Sequence, residues 1–233
     1  MAKKLSLVDQ VANALILYIQ NQNLKVGDRL PNEYKLVEDL QVSRSTVREA
    51  IKALSSQNIL EVKRGAGTFI SSKKGIADDP LGFKFVEDRL KLTCDLFEIR
   101  YLLEPTVAGL AAQNATDEEI AQLEVLVDKI EELIKKENPE HLILDQKFHE
   151  LIANASGNIA LSHLMPVINE SIQLYDEFTS PRSKEETIIA HRDIINAIKE
   201  RNSLQAQNAM LIHIIDNRRV LLRKAREVDA IAK

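Results

Sequence analysis

The sequence predicts a mainly α-helical protein in two parts, an N-terminal winged helix-turn-helix followed by an all-α bundle of six or seven helices. Three observations indicate this fold class. The apolar residues are mostly Leu, Ile, Val and Ala, at helical spacing. Two short strand-like segments, Ile59–Lys63 and Thr68–Ser71, flank a turn that contains glycine. A polar stretch, 71–80, follows them and separates a basic first part from a longer acidic one.

The domain boundaries follow from these features. We expect a winged helix-turn-helix domain over 1–73, a linker over 74–80 and a helical domain over 81–233, which at 233 residues leaves enough chain for two cores. Residues 1–75 contain 12 Lys and Arg and 7 Asp and Glu, a net charge of +5; since the whole chain carries −4, the remainder carries −9. A basic head on an acidic body suits a protein whose first third binds a polyanion.

Composition excludes two classes of protein. No apolar run approaches the roughly 18 residues of a membrane span, and the N-terminal residues lead into no signal-peptide core. The single cysteine, Cys94, rules out an intramolecular disulfide framework. We therefore expect a cytoplasmic protein with no membrane partner.

The head reads as three helices and a hairpin. A first amphipathic helix covers Leu7–Gln20, Pro31 opens a second helix at its first turn, and Ser43 caps a third. Gly65 and Gly67 can supply the positive φ that a tight hairpin requires. The inward stripe of the third helix comprises Val47, Ala50, Ile51 and Leu54.

The third helix is the candidate DNA-reading element. Its first turn carries Ser43, Arg44, Ser45 and Thr46, where a recognition helix meets base edges and phosphates. Arg44, Arg48 and Lys52 are four residues apart and share a face away from the apolar stripe. A solvated basic face on an ordinary helix would show the same spacing. The helix-turn-helix order and the glycine-bearing wing favour the DNA-binding interpretation.

The second part carries only helical signals. Pro105 and Pro166 should kink their helices. The predicted helices lie at 80–91, 94–113, 117–136, 139–155, 159–178, 184–200 and 203–227. The start signals are two capping-box pairs and an Asn-Pro step: Thr116 with Glu119, Ser183 with Glu186, and Asn138 with Pro139.

Four residues of the helical domain form a candidate metal site. Asp145 and His149 project from one side of a helix, His191 lies on the inward stripe of a later helix, and His213 on that of the last. Converging inside a bundle, they would bind zinc or another first-row divalent ion, with nickel and manganese as alternatives. The other interpretation is that each histidine is a core residue satisfied by a carbonyl or carboxylate. That interpretation is the better one for any single histidine, but it is the weaker one for the four residues taken together.

Arg100 is a second anomaly, since it falls within the inward arc of helix 94–113. A buried arginine needs an anion. Two interpretations stay open: a structural pair with Glu98, Glu104 or a carboxylate elsewhere, or a bidentate grip on a ligand carboxylate.

The head resembles the GntR family of bacterial regulators. The resemblance rests on 27–33 (GDRLPNE), 42–50 (VSRSTVREA) and 64–69 (RGAGTF). It implies DNA contacts on the recognition helix and wing tip, at Ser43, Arg44, Arg48, Arg64 and Gly65. One position departs from the pattern: where the family often has a basic residue, this chain has Tyr34, followed by Lys35.

The helical part resembles the ligand-binding domain of the FadR subfamily, called FCD, over about residues 80–227. The matching residues are Glu98–Arg100, Leu103–Pro105, Asp145–His149, Gly157-Asn158, His191 ahead of Ala197-Ile198, and His213. The resemblance implies a divalent ion held by Asp145, His149, His191 and His213, with Arg100 helping to hold a small organic acid. Because all four ligand positions are filled, it implies the metal-binding branch and not the acyl-CoA-binding one.

The sequence therefore predicts a homodimeric transcription regulator that binds double-stranded DNA at a palindromic operator. Of repressor and activator, we expect a repressor. A small carboxylate metabolite at the metal site would control it. Alternatively, the metal is itself the signal or is only structural. A metalloenzyme with a DNA-tethering head is disfavoured, since no spare Glu or Asp is spaced as a general base beside the ligands.

Overall fold

The computed structural model describes residues 5–73, 75–77, 79–178 and 184–231. The chain forms two compact units, Met1–Leu81 and Gly82–Lys233. Each unit has its own cluster of buried apolar side chains.

The first unit is a winged helix-turn-helix, as predicted. Its elements are α1 (Leu7–Asn21), α2 (Glu33–Leu40), α3 (Arg44–Ser56), β1 (Leu60–Lys63) and β2 (Gly67–Ile70). The two strands pair antiparallel, with Leu60 opposite Ile70 and Lys63 opposite Gly67. The predicted stripe of α3 is buried and, with Leu15, Leu36 and Leu60, forms the core of the head.

Two caps set the helix-turn-helix. Ser43 begins α3 as predicted, and its Oγ accepts a hydrogen bond from the Thr46 amide at 3.2 Å. The predicted role of Pro31 is wrong. Asn32 is the N-cap of α2, with its Oδ1 accepting from the Lys35 amide at 2.9 Å, so the helix begins at Glu33. Asparagine is the N-cap because its side chain accepts a hydrogen bond from a backbone amide of the first helical turn, which a proline side chain cannot do.

The wing is extended by the segment before α2. Arg29 pairs with Phe69 in an antiparallel bridge, and the Leu30 amide donates to the Thr68 carbonyl at 2.9 Å. The Arg29 side chain crosses the wing over Gly67. A Cβ at Gly67 would lie 2.7 Å from Arg29 Nε, and the backbone there has φ +121°. The positive φ favours glycine at the start of β2, whereas the Arg29 side chain could move to admit a Cβ.

The second unit is a helical bundle, as predicted. Its helices are α4 (Arg89–Asn114), α5 (Asp117–Lys135), α6 (His141–Ala155), α7 (Ile159–Ile168), α8 (Glu170–Asp176), α9 (Lys184–Lys199) and α10 (Ser203–Ile231). The Thr116–Glu119 capping box at the start of α5 is confirmed. The predicted Ser183–Glu186 capping box includes Ser183, which lies outside the described residues.

Three helix boundaries differ from prediction. The helix over 80–91 is wrong: Phe83–Phe85 makes one 3-10 turn, and α4 begins at Arg89 because Asp88 caps it, accepting from the Lys91 amide at 2.9 Å. Asn138 Oδ1 accepts from the Glu140 amide, and α6 starts only at His141. The predicted helix over 159–178 is divided into α7 and α8 at Asn169. Pro166 lies three residues earlier and has no backbone N–H, so the last turn of α7 lacks one hydrogen-bond donor.

The centre of the bundle is α4, which packs against α10, α6, α9 and α8. It continues through Pro105 without a break. At Gly109 a Cβ would meet the Gln207 side chain at 2.5 Å, so glycine lets α10 lie close against α4. Among the helices of the described residues, none is long and apolar enough to cross a bilayer.

Candidate DNA-binding surface and metal centre

The start of α3 forms a polar, solvent-facing surface on the head. The Ser43 hydroxyl lies 2.8 Å from both the Ser45 and the Thr46 hydroxyl groups. Arg44, Arg48 and Lys52 are exposed on one side of the helix, as the predicted spacing requires. The positive end of the helix dipole favours anions here, so this end of α3 can bind phosphates as well as base edges.

The arginines at this surface are held by α2. Arg44 Nε donates to Glu33 Oε2 at 2.9 Å, and Arg48 Nε lies 3.8 Å from the other oxygen of the same carboxylate. Arg44 also lies over the ring of Tyr34, with Cζ 4.7 Å from the ring centroid. The hydrogen bond to Glu33 is the main reason that the pKa of Arg44 is raised. Glu33 and Tyr34 therefore position the side chains of the candidate recognition helix.

Beside α3, an open groove of about 510 Å³ runs between the helix and the hairpin. Its lining includes Ser45, Arg48 and Lys52 from α3, and Val62 and Thr68 from the two strands. Arg64 and Gly65 form the turn between those strands, and Gly65 has the predicted positive φ of +76°.

In the bundle, three histidines from three helices converge. His149 on α6, His191 on α9 and His213 on α10 are all buried, and each offers a ring nitrogen within 4.8 Å of the others. Asp145, one turn before His149, places Oδ1 3.1 Å from His191 Nε2 and 3.9 Å from His149 Nε2. Helical spacing therefore brings the four predicted ligand residues together.

The protonation states of this cluster suit a cation. Burial lowers the pKa of His191, and burial together with the two other imidazoles lowers that of His213 well below the usual value. Burial opposes ionisation of Asp145, but the adjacent imidazoles outweigh it and lower its pKa. Neutral imidazoles and an ionised carboxylate are the forms that bind metal ions.

Missing hydrogen bonds at several potential ligand atoms of this cluster also fit a metal site. Among the described residues, Asp145 Oδ1 and both ring nitrogens of His191 are buried without an aligned hydrogen-bond partner. Burying such groups unsatisfied is costly. Nitrogen ligands of one zinc ion lie on the order of 3–4 Å apart, given bonds of about 2.0–2.1 Å. The ligand nitrogens of the three histidines already lie within 4.8 Å of one another, so a modest approach of the rings would bring them within reach of one ion.

Arg100 lies at the edge of this cluster and is fully buried. Its Nε donates to Glu104 Oε1 at 2.5 Å, and its Nη2 lies 3.2 Å from His149 Nε2. The pair with Glu104 is one of the two interpretations that the sequence left open, whereas Glu98 lies near Arg218 instead, at 4.0 Å. The guanidinium is thus both paired and adjacent to a candidate ligand.

Two family models match this chain. Residues 7–70 match the gntR family of bacterial regulatory proteins, and residues 95–216 match the FCD domain. The chain is 35% identical over 216 residues to the HTH-type transcriptional regulator LutR of Bacillus subtilis (strain 168), covering 87% of this chain and 95% of that protein. The chain belongs to the GntR family. It is a DNA-binding transcription regulator and not an enzyme.

Two further relatives extend the comparison. The galactonate operon transcriptional repressor of Escherichia coli (strain K12) is 26% identical over 230 residues, covering 93% of this chain and 97% of the repressor. A solved structure, Streptococcus agalactiae GntR, is 49% identical and covers 91% of this chain and 99% of its own, with a TM-score of 0.77. The FCD domain places this GntR regulator in the FadR subfamily, as the sequence predicted.

Glu104 lies beside the candidate metal site of this GntR regulator, and sequence reasoning considered it only as a structural partner of Arg100. Its Oε2 lies 2.5 Å from His149 Nδ1, so it can orient that ring as carboxylates orient metal-ligating histidines. Burial opposes its ionisation, but Arg100 and His149 lower its pKa to about 2. The signal was available, because Arg100 and Glu104 are one helical turn apart on the inward arc.

Asn169 and Ser171, at the α7–α8 junction, were also not anticipated. Both are fully buried, and within the described part of the chain neither the Asn169 amide nor the Ser171 hydroxyl has a hydrogen-bond partner. Helix α8 packs on α6 and α4, the helices that carry His149 and Arg100. Nothing in the local sequence distinguishes these residues from ordinary helix-end polar residues.

Proposed function

We propose that this GntR regulator is a cytoplasmic homodimeric repressor of a palindromic operator, released by a small hydroxycarboxylic acid that binds beside a divalent ion in the FCD domain. The observation that carries the proposal is the convergence of His149, His191 and His213, with Asp145 adjacent. Three imidazoles and a carboxylate form a donor set typical of zinc, with nickel and manganese as alternatives.

The effector chemistry is proposed from Arg100, which lies beside the candidate ion site, and from buried polar groups at the α7–α8 junction, whose helix α8 packs on α4 and α6. Arg100 lies against His149, where its guanidinium can bind a carboxylate oxygen. Asn169 and Ser171 supply buried donors and acceptors without partners among the described residues, which a hydroxyl group of the ligand would satisfy. The repressor of the galactonate operon, a relative, is named for the operon of such a hydroxycarboxylate.

Control follows from where the groups lie. The ion would join α6, α9 and α10 through His149, His191 and His213, and an acid held by Arg100 would add α4 to the same cluster. A ligand that binds one arrangement of these helices more tightly shifts the protein toward it. We propose that this arrangement has the lower affinity for the operator.

Operator binding by the full chain tests this proposal. The DNA probe is the most enriched duplex from a random-library selection with the zinc-loaded protein, followed by fluorescence anisotropy. We expect galactonate, the hydroxycarboxylate in the name of that relative, to weaken binding by about five- to 150-fold, the usual range of coupling between two sites. His213→Ala should abolish the response, whereas His163→Ala, at an exposed position outside the cluster, should keep it. A response that survives in His213→Ala contradicts the proposal.

A second candidate is that the metal ion is itself the signal. It is favoured by Asp145 Oδ1 and the His191 ring, because an ion could bind that oxygen and one of the His191 ring nitrogens without any acid. Titrating zinc into chelator-treated protein, with no acid present, separates the two candidates. A zinc-dependent change in operator affinity supports this second function, and an unchanged affinity supports the first.

A further inference from the structure

Tyr34 is a large aromatic residue on the DNA-binding side of the head, and its side chain is 69% exposed. It is the second residue of α2 and lies beside the first residue of the recognition helix α3. A tyrosine gains nothing from hydrophobic burial at such a position. Its contact with Arg44 is therefore the feature that needs a physical explanation.

Glu33 and Tyr34 together make three contacts with the Arg44 guanidinium. Glu33 accepts from the Nε edge of Arg44 at 2.9 Å, the Tyr34 hydroxyl accepts from Nη1 at 3.3 Å, and the Tyr34 ring lies 4.7 Å from Cζ. The carboxylate fixes the direction of the guanidinium, and the ring limits its swing. Long exposed arginines otherwise lose considerable rotamer freedom when they bind.

The contacts with Glu33 and Tyr34 leave the end of the Arg44 guanidinium available to bind a base. A guanidinium has five N–H donors, and the contacts with Glu33 and Tyr34 use one on Nε and one on Nη1. The three that remain belong to Nη1 and Nη2, the end of the side chain. Two parallel donors from that end match the O6 and N7 acceptors of guanine in the major groove.

We propose that Tyr34 and Glu33 are positioning residues that pre-orient Arg44 to read a guanine, and that Tyr34 thereby contributes to operator specificity without contacting DNA itself. The DNA partner is the one that the GntR domain implies. Arg48, 3.8 Å from Glu33, is supported only by that carboxylate and is less constrained. The loss caused by removing Tyr34 should therefore fall on the base pair that Arg44 reads.

The test uses the full-length protein and a duplex selected from a random library, with a scrambled duplex of the same length as the non-specific probe. Removing the cation–π support in Tyr34→Ala should weaken binding to the selected duplex about two- to fivefold. Binding to the scrambled duplex should be unchanged. Tyr34→Phe keeps the ring and should retain most of the affinity, whereas Tyr34→Leu, which keeps apolar volume alone, should behave like Tyr34→Ala.

The double variant decides whether the effect passes through Arg44. Arg44→Ala should lose a base contact, roughly five- to 150-fold at one base pair. With Arg44 removed, Tyr34→Ala should cause no further loss, because nothing is left to position. An equal loss on selected and scrambled duplexes, or a full additional loss in the Arg44→Ala background, would show that Tyr34 contacts DNA directly and would overturn the proposal. Wild-type affinity in Tyr34→Ala would overturn it too.

Discussion

Replacing Arg100 by methionine should strongly destabilise the FCD domain. Arg100 and Glu104 are 1% and 2% exposed and lie one turn apart on α4, with Nε and Oε1 2.5 Å apart. Methionine has a similar reach but no charge, so the Glu104 carboxylate is left buried beside His149 alone. Removing one partner of a buried ion pair costs about 3–5 kcal/mol. Because His149 Nδ1 remains 2.5 Å from Glu104, we expect the lower end, about 3 kcal/mol.

Urea unfolding followed by far-ultraviolet circular dichroism, in the presence of a chelator, measures this cost. A loss of about 3 kcal/mol corresponds to a fall in Tm of roughly 6–12 °C for a domain of this size. Glu104→Gln leaves the opposite charge buried and should also destabilise. The double variant Arg100→Met/Glu104→Gln has no unpaired charge and should recover most of the loss, since apolar replacement of a buried pair is often close to neutral.

A loss below about 1 kcal/mol for Arg100→Met, outside the range for a broken buried pair, would refute the reasoning. So would a double variant whose loss equals the sum of the two single losses. The double variant also tests the effector, provided that its zinc content equals that of wild type, because Glu104 contacts the candidate ligand His149. It should stay folded yet bind the acid about tenfold to hundredfold more weakly, since a charge-assisted contact is missing. Arg100→Ala alone would confuse that effect with unfolding.

Three further results are expected. His213→Ala should lose most of the bound zinc in elemental analysis, whereas His163→Ala should keep it; wild-type protein that takes up no ion contradicts the site. Thr116→Ala removes the cap of α5 and should cost about 1 kcal/mol in urea unfolding. The hydrogen bond from Arg192 lowers the pKa of Glu131 from 4.5 to about 2, so the pair stabilises the protein above pH 4.5 and is lost as the pH falls toward 2. Glu131→Gln should therefore show a shallower acid loss of stability than wild type across that range.

The parts of the fold that were predictable are those set by local chemistry. Ser43 and Thr116 are strong N-caps followed by helical periodicity, and both begin their helices as expected. The wing follows from glycines whose positive φ only a tight turn requires, as at Gly65. The convergence of His149, His191 and His213 also follows from periodicity, because each lies on the buried side of its helix.

The parts that sequence reasoning missed depend on competition between neighbours. The sequence predicts a helix over 80–91, whereas in the structure Asp88 caps α4 and the helix begins at Arg89. Asn169 ends one helix and starts another, which a pattern of apolar residues does not show. The pairing of Glu104 with Arg100 could be expected from their spacing, but the contact of Glu104 with His149 depends on how α4 packs on α6. The ion and the acid stay predictions.

The separation of the proposed metal ligands along the chain has a consequence for biosynthesis. Asp145 and His149 lie on α6, His191 on α9 and His213 on α10, whereas the head is complete within residues 7–70. During translation the head can fold from local contacts while its DNA-binding surface is already formed. The proposed ion, by contrast, cannot find all its ligands until α10 has left the ribosome. A nascent chain would therefore acquire a functional DNA-binding surface before it could respond to any effector.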